Sequence, residues 1–111
     1  MIHKDPKGAS FVDAYLDIET TGLSWLDAEI TVIGIYLVDG SESRLVQLVG
    51  KEVTVDNLLT TIDGISTIYT YNGSRFDLPF IHGSLGIDLE AIIVVTAKCG
   101  IAQLQEPRKI L

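Results

Sequence analysis

Two acidic residues, Asp17 and Glu19, interrupt an apolar stretch in the segment Ala14-Tyr-Leu-Asp-Ile-Glu-Thr-Thr-Gly-Leu23. Residues two apart on a β-strand point to the same face. Two carboxylates on one face repel each other, and each is costly to desolvate alone. A divalent cation would relieve both costs, and oxygen-rich sites of this kind suit Mg²⁺ or Mn²⁺. The alternative, which spacing alone favours, is that both acids mark the solvated end of a strand.

A third carboxylate, Asp77, ends the segment Asn72-Gly-Ser-Arg-Phe-Asp77, at the start of an expected helix and just after a short strand. If that strand runs parallel to the one that carries Asp17, both strands end at the same edge of the sheet. Asp77 would then come near Asp17 and Glu19. The alternative is an ordinary N-cap or first-turn Asp, favoured by the helix dipole.

The elements that must position these acids follow from apolar periodicity and turn signals. We expect strands at residues 11–18, 30–38, 43–49 and 66–71, with 91–97 as a further candidate, and helices at about 54–63 and from 76 or 77 to 83 or 86. The β-branched run from Ile30 to Val38 predicts a central strand covered on both faces. Leu58, Leu59 and Ile62 are expected on one face of the first helix. The order predicts an α/β domain with an antiparallel hairpin beside parallel strands.

The bulk properties of the 111-residue chain predict one domain over residues 1–111, since 47% of the residues are apolar and 21% charged. The net charge of −7 argues against broad electrostatic adhesion to nucleic acid. It does not exclude a nuclease whose cations neutralise a carboxylate site. The single Cys99 excludes an intrachain disulfide framework. The polar N-terminus and the short apolar run from Ala91 to Val95 predict a cytoplasmic protein with no membrane span.

The two acidic segments together carry a family resemblance. Asp17-Ile-Glu-Thr-Thr-Gly-Leu23, followed by Tyr71-Asn-Gly-Ser-Arg-Phe-Asp-Leu-Pro-Phe-Ile81, resembles the first two motifs of the DEDD-type 3′–5′ exonucleases. That family has an RNase H-like fold, and the second segment looks most like its bacterial branch of predicted exonucleases. The resemblance covers roughly Tyr15 to Leu89. It implies an RNase H-like mixed sheet with flanking helices, whose C-terminal part is incomplete.

The resemblance also implies roles for individual residues. Asp17 would bridge two metal ions, Glu19 would hold the ion that activates water, and Asp77 would support the second ion. Such a pair of Mg²⁺ or Mn²⁺ ions would stabilise the attacking hydroxide and the leaving 3′ oxygen. The residues implied to contact the terminal nucleotide of a single-stranded DNA or RNA are Thr20, Thr21, Gly22, Leu23, Asn72 and Phe76. Among them, Thr20 to Leu23 would offer backbone amides for hydrogen bonds, and the side chain of Leu23 would contact the base. Arg75 is a candidate phosphate contact, against the commoner role of a solvated helix-start Arg.

The chain departs from the family after Glu90. The family has a fourth Asp, a few residues after a Tyr or His that acts as general base. This sequence has no Tyr, His or Asp after Asp88. His82 is considered as a substitute base, against the commoner role of a surface His. The departure suggests a truncated or frame-shifted member of the family.

Three functions therefore remain open from sequence. The chain is expected to be a metal-dependent 3′–5′ exonuclease-like domain, or a catalytically inactive relative that binds metal or nucleic acid, or an interaction domain whose acids only decorate its surface. Missing C-terminal helices would expose apolar sheet surface. We therefore expect a homo-oligomer that associates through the C-terminal region, with its apolar run from Ile92 to Val95.

Overall fold

The computed structural model describes residues 12–71 and 76–97. In chain order the elements are β1 (Val12–Thr20), β2 (Ile30–Asp39), β3 (Glu42–Val49), α1 (Val55–Ile62), β4 (Thr67–Thr70), α2 (Leu78–Leu85) and β5 (Val94–Ala97), with 3₁₀ turns at Gly50–Glu52 and Leu89–Ala91. The five strands form one sheet in the order β3-β2-β1-β4-β5. The first three strands are antiparallel, while β4 and β5 run parallel to β1. The α/β architecture expected from the sequence is confirmed.

Local rules explain where the elements begin and end. Asp39 pairs with Glu42 across a tight turn in which Gly40 takes a φ of +65°, a conformation that glycine adopts without strain. Thr54 caps α1, because its Oγ1 accepts a hydrogen bond of 3.1 Å from the amide of Asn57. Helix α2 ends at Gly86, whose left-handed backbone (φ +76°) closes the last turn.

Strand β1 lies at the centre of the sheet, and its residues alternate between two environments. Val12, Ala14, Leu16 and Ile18 are buried, whereas the residues between them are half-buried or exposed. The expected central strand β2 lies inside the sheet, between β3 and β1, and none of its residues is exposed. A continuous apolar run shows that both faces of a strand carry apolar side chains, but it does not say how many strands lie on either side.

One face of the sheet holds the hydrophobic core. The two helices and the segment after α2 supply its other half, and the largest fully buried side chains include Phe80, Ile33, Ile35, Leu58, Ile68, Ile81 and Leu89. The sequence predicted that Leu59 lies on the buried face of α1. This prediction is wrong, since Leu59 is 40% exposed. Leu58 and Ile62 are one turn apart and fill that face by themselves.

The other face carries an aromatic pair, with the rings of Tyr15 and Tyr69 stacked at 5.1 Å between centroids. Both tyrosines are half-buried. No helix in residues 12–71 and 76–97 is long and apolar enough to cross a membrane. The expectations for the lead-in at residues 1–10, for Asn72 and Arg75, and for the tail beyond Ala97 fall outside the described residues.

Thr70 provides a test of the core. The residue is 1% exposed, and its Oγ1 has no hydrogen-bond partner within the described part of the chain. A buried hydroxyl without a partner costs roughly 1–3 kcal/mol. Thr70→Val keeps the shape and removes the hydroxyl, so it should raise the free energy of unfolding in urea by about 1 kcal/mol. Thr67→Val, at a half-buried position of the same strand, is the control and should have a smaller effect. A less stable Thr70→Val protein would contradict this reading of the core.

Candidate active site

Asp17 lies on the face of β1 opposite the hydrophobic core. Its neighbours Leu16 and Ile18 are buried, and side chains alternate along a strand, which fixes this orientation. Its carboxylate accepts a hydrogen bond of 3.0 Å at Oδ1 from the amide of Ile18. Across the strand pair, Asp17 faces Gly34, which has no side chain. The backbone therefore holds the carboxylate, and β2 leaves space directly beside it.

Glu19 occupies the next position on the same face, as its spacing from Asp17 predicts. It is exposed, and its backbone carbonyl accepts a hydrogen bond of 3.1 Å from the Thr31 hydroxyl. The pairing of β1 with β2 shifts register between Glu19 and Thr20. Irregularities of this kind redirect the residues around them, so Glu19 stands where the regular strand ends.

Asp77 directly precedes α2 and is only 4% exposed. Its pKa is raised from 3.8 to about 7, first because burial disfavours the charged carboxylate and second because the charge of Asp17 lies nearby. The parallel pairing of β1 with β4 thus brings Asp77 close to Asp17, as expected. Asp77 occupies the N-cap position of α2, as the alternative expected, but its side chain makes no capping hydrogen bond to the first turn.

The Asp17–Asp77 pair fits a divalent cation by the chemistry of its donors. Two neighbouring carboxylates, one of them buried, are costly to ionise together, and a cation would stabilise both charges. Residues 12–71 and 76–97 contain no group of three or more His, Cys, Asp or Glu side chains that could hold a metal ion. The described structure therefore brings two of the expected ligands together, and Glu19 stays a prediction as the third.

The expected substrate residues Thr20 to Leu23 lie at the end of β1 and in the loop that joins it to β2. The Thr20 hydroxyl donates a hydrogen bond of 2.6 Å to the carbonyl of Gly22, and Gly22 lies against Ala28. Leu23 is 90% exposed, as a base contact requires. The amide of Thr21 is not free for a substrate, since it donates to the carbonyl of Glu29 at 2.9 Å.

Two further expected residues lie on or beside α2. Phe76 is half-buried, and its ring packs against Phe80 with 5.4 Å between centroids. His82 is exposed. Five residues along an α-helix correspond to a rotation of roughly 500°, so His82 points about 140° away from the direction of Asp77. This orientation favours the surface role for His82.

Sequence reasoning missed a contact between Trp25 and Gly83. A Cβ atom on Gly83 would overlap the indole ring of Trp25, so the ring lies directly on the backbone of α2. The available signal was that the chain has a single tryptophan and that it stands in a short loop beside the acidic motif. Nothing in the local pattern indicated which helix it would meet.

A comparison with family models matches residues 14–105 to a model described as the RNase_H superfamily. Because this match spans most of the sequence, the chain belongs to the RNase H superfamily. The expected resemblance to the DEDD-type exonucleases is confirmed in its superfamily and its RNase H-like fold. The matched region continues past Glu90, where the resemblance was expected to stop.

Solved structures show the same fold. NrnC from Brucella melitensis, solved also with bound Mg²⁺, matches with a TM-score of 0.54 and 22% sequence identity, over 77% of this chain and 40% of NrnC. A family B DNA polymerase from the hyperthermophilic archaeon Pyrobaculum calidifontis matches with a TM-score of 0.53 and 13% identity, over 67% of this chain and 11% of the polymerase. The chain therefore spans less than half the length of either protein. No curated protein matches it.

The raised pKa of Asp77 predicts how stability depends on pH. The folded protein holds the proton of the Asp77 carboxyl more tightly than the unfolded chain does. The contribution of this proton to the free energy of unfolding is therefore complete below pH 3.8 and is lost as the pH rises through about 7. Asp77→Asn stays neutral. In EDTA at about pH 8 it should be more stable than the wild type by roughly 1–3 kcal/mol, and the difference should vanish below about pH 4.

Urea denaturation at a series of pH values measures this difference. Asp63→Asn, at the exposed end of α1, is the control and should show no comparable trend over the same interval. If Asp77→Asn were destabilised to the same extent at every pH, burial of a charged carboxylate at position 77 would not explain how stability depends on pH.

Proposed function

We propose that this chain is the catalytic part of a metal-dependent exonuclease that removes nucleotides from the 3′ ends of single-stranded DNA or RNA. The observation that carries the proposal is the Asp17–Asp77 pair, held where parallel strands β1 and β4 end. Membership of the RNase H superfamily supports it. The Mg²⁺ bound to NrnC, which has the same fold, supports the choice of cation.

The roles of the acidic residues follow from their positions. Asp17, fixed by the amide of Ile18, would contact the cations most directly, while Asp77 would give up its proton and bind as a carboxylate. Glu19 is exposed, so its side chain can rotate toward Asp17 when a cation is present. When bound there, Mg²⁺ or Mn²⁺ would supply an activated water and charge stabilisation at the leaving 3′ oxygen.

The loop after β1 would receive the terminal nucleotide. Thr20, Thr21 and Gly22 form its rigid base through their hydrogen bonds, and Leu23 projects into solvent where a base can contact it. Phe76 would support the same site from the start of α2, since its ring is already ordered by Phe80. Asn72 remains the candidate that would position the strand end.

A second candidate function is a relative that binds a cation or nucleic acid without hydrolysing it. It is favoured by the absence, in the described residues, of a third acidic side chain beside the Asp17–Asp77 pair.

A shortening assay tests the proposal. A 5′-labelled single-stranded oligonucleotide incubated with the protein and Mn²⁺ should lose nucleotides from its 3′ end, and EDTA should stop the reaction. Asp17→Asn should lower the rate by at least about 10²-fold, because it removes a charge at the point where cations bind. Asp13→Asn is the matched control, since Asp13 lies on the same face of β1, four residues before Asp17.

The variants and the measured binding of Mn²⁺ distinguish the exonuclease from the relative that does not hydrolyse nucleic acid. Activity that survives in Asp17→Asn would refute the proposed site, and equal loss in Asp13→Asn would indicate general damage to β1. Absence of shortening together with calorimetric binding of Mn²⁺ that Asp17→Asn removes would favour the non-hydrolysing relative. Absence of both activity and binding would leave an interaction domain.

We also propose that copies of the chain associate through the surface around β5. This strand lies at one edge of the described sheet, and strand edges readily pair with other chains. Val94 is 62% exposed and Ile92 is 56% exposed. Beside them lies a groove of about 320 Å³, lined by Leu59, Ile62, Asp63, Gly64, Ile65, Ile92 and Ile93. Together they form a largely apolar surface of the kind at which protein chains associate.

Sedimentation at micromolar concentrations should therefore show an oligomer. Val94→Lys should weaken it by roughly tenfold or more, because it introduces a charge into the contact. Leu45→Lys is the matched control, since Leu45 is exposed on β3 at the opposite edge of the sheet. A monomeric wild type, or equal weakening by both variants, would contradict the proposed surface.

A further inference from the structure

Three tyrosine side chains form a row across the face of the sheet opposite the hydrophobic core. Tyr15 on β1 pairs in register with Tyr36 on β2 and with Tyr69 on β4, so the three residues lie side by side on neighbouring strands. The rings of Tyr15 and Tyr69 stack at 5.1 Å between centroids. The hydroxyl of Tyr36 donates a hydrogen bond of 2.9 Å to the hydroxyl of Ser43, which holds the third ring in place.

Two carboxylates flank this row. Asp13 and Asp17 lie two residues before and two residues after Tyr15, and residues two apart on a strand point to the same face. The three tyrosines and these two acids are called the tyrosine face below. An arginine or lysine side chain suits such a surface, because its cation is attracted both to the face of an aromatic ring and to a carboxylate. The tyrosine face therefore fits a basic polypeptide segment.

The described residues do not supply such a cation. In residues 12–71 and 76–97, the lysines and arginines are Arg44 and Lys51. Arg44 pairs with the buried Leu37 and so lies on the core side of the sheet, while Lys51 belongs to the turn after β3. The remaining cations of the chain are in the segments outside the described residues.

The two sides of β1 differ in how well they are covered. Helices α1 and α2 pack on the side of Ala14 and Leu16, which are 0% and 3% exposed. The three rings of the tyrosine face are only half-buried. The tyrosine face therefore keeps aromatic surface that a further segment can bury.

We propose that residues 98–111 of the same chain dock on the tyrosine face, with the cations of Arg108 and Lys109 lying over the rings and beside the flanking carboxylates. The segment has the composition that this surface requires. It combines cations with apolar side chains and has a single acid, Glu106; the cations are Lys98, Arg108 and Lys109, and the large aliphatic residues are Ile101, Leu104, Ile110 and Leu111. The inference does not rest on the proposed nuclease function.

The position of β5 brings this segment close to the tyrosine face. Strand β5 lies beside β4 and runs parallel to it, and residues 98–111 follow directly after Ala97. From β5 to β2 the sheet spans three strand spacings, about 15 Å. A segment of this length covers about 21 Å even at the compact rise of a helix, so it can cross the whole row. Because it is tethered beside the row, its effective concentration there is high.

The family match favours this segment over residues 1–11 as the occupant. The match covers residues 14–105, so it begins after the N-terminal segment and continues past Ala97. Asp17 belongs both to the tyrosine face and to the Asp17–Asp77 pair. A segment docked on this face would therefore border the proposed cation site.

The exposure of individual tyrosines tests the proposal in the full chain. Biosynthetic incorporation of fluorotyrosine gives each tyrosine its own fluorine resonance, and broadening by a neutral gadolinium chelate measures how far solvent reaches each ring. The double variant Arg108→Glu, Lys109→Glu should raise the broadening at the three rings of the tyrosine face at least about threefold, because like charges would then oppose docking. Circular dichroism shows that the fold is kept.

The matched control is the double variant Lys4→Glu, Lys7→Glu, which reverses the same number of charges in the N-terminal segment. It should leave the broadening of the three rings unchanged. A larger response to this control than to the change at Arg108 and Lys109 would assign the tyrosine face to residues 1–11. The absence of a response to either double variant would show that these cations do not cover the face. Both results would overturn the proposal.

Carbodiimide cross-linking tests the contact without any substitution, because the reagent joins a carboxylate to an amine only where the two groups touch. The wild type in dilute solution should give a peptide pair that links Lys109 to Asp13 or Asp17 within one chain. The absence of this link would overturn the proposal. A yield that falls in proportion to dilution would do so too, since the segment would then dock on a second copy. Neither result depends on whether the protein shortens oligonucleotides, so the exonuclease proposal is tested separately.

Discussion

The central position of β1 is the constraint on which the other parts depend. A strand shows its side chains alternately to two faces, so β1 cannot serve the core and the site with the same residues. Val12, Ala14, Leu16 and Ile18 face the helices and are buried, which leaves Asp17 on the other side. Because β2 and β4 both pair with β1, its register also decides which neighbours the carboxylate meets: Gly34 on one side and the approach to α2 on the other.

By themselves, the two acidic residues of this site destabilise the folded protein. Asp77 is almost completely buried close to a second carboxylate, and its pKa of about 7 shows that the folded chain disfavours its charge. The apolar residues Phe80 and Ile81 anchor α2 in the core. Sites built for cations commonly have this character, because the ion that compensates the charge belongs to the functional state.

Features governed by local rules could be predicted from the sequence. The Asp39-Gly40 turn, the Thr54 cap and the end of α2 at Gly86 all depend on nearby residues. The nearness of Asp77 to Asp17 needed one topological assumption, the parallel pairing of β1 and β4. What could not be predicted depends on tertiary placement: which strand lies at the centre, the exposure of Leu59, and the contact of Trp25 with α2. Periodicity gives the faces of an element but not its neighbours.

The strand topology also has a consequence for the order of folding. The β1–β2 and β2–β3 pairings join segments that follow each other along the chain, so closing their loops costs little entropy. The β1–β4 pairing instead brings together Asp13 and Thr67, which are far apart along the chain. Contacts between residues so distant along the chain usually form late. A nascent or partly folded chain would therefore carry Asp17 on a finished hairpin while Asp77 is still remote, and the two acids would first meet when folding is nearly complete.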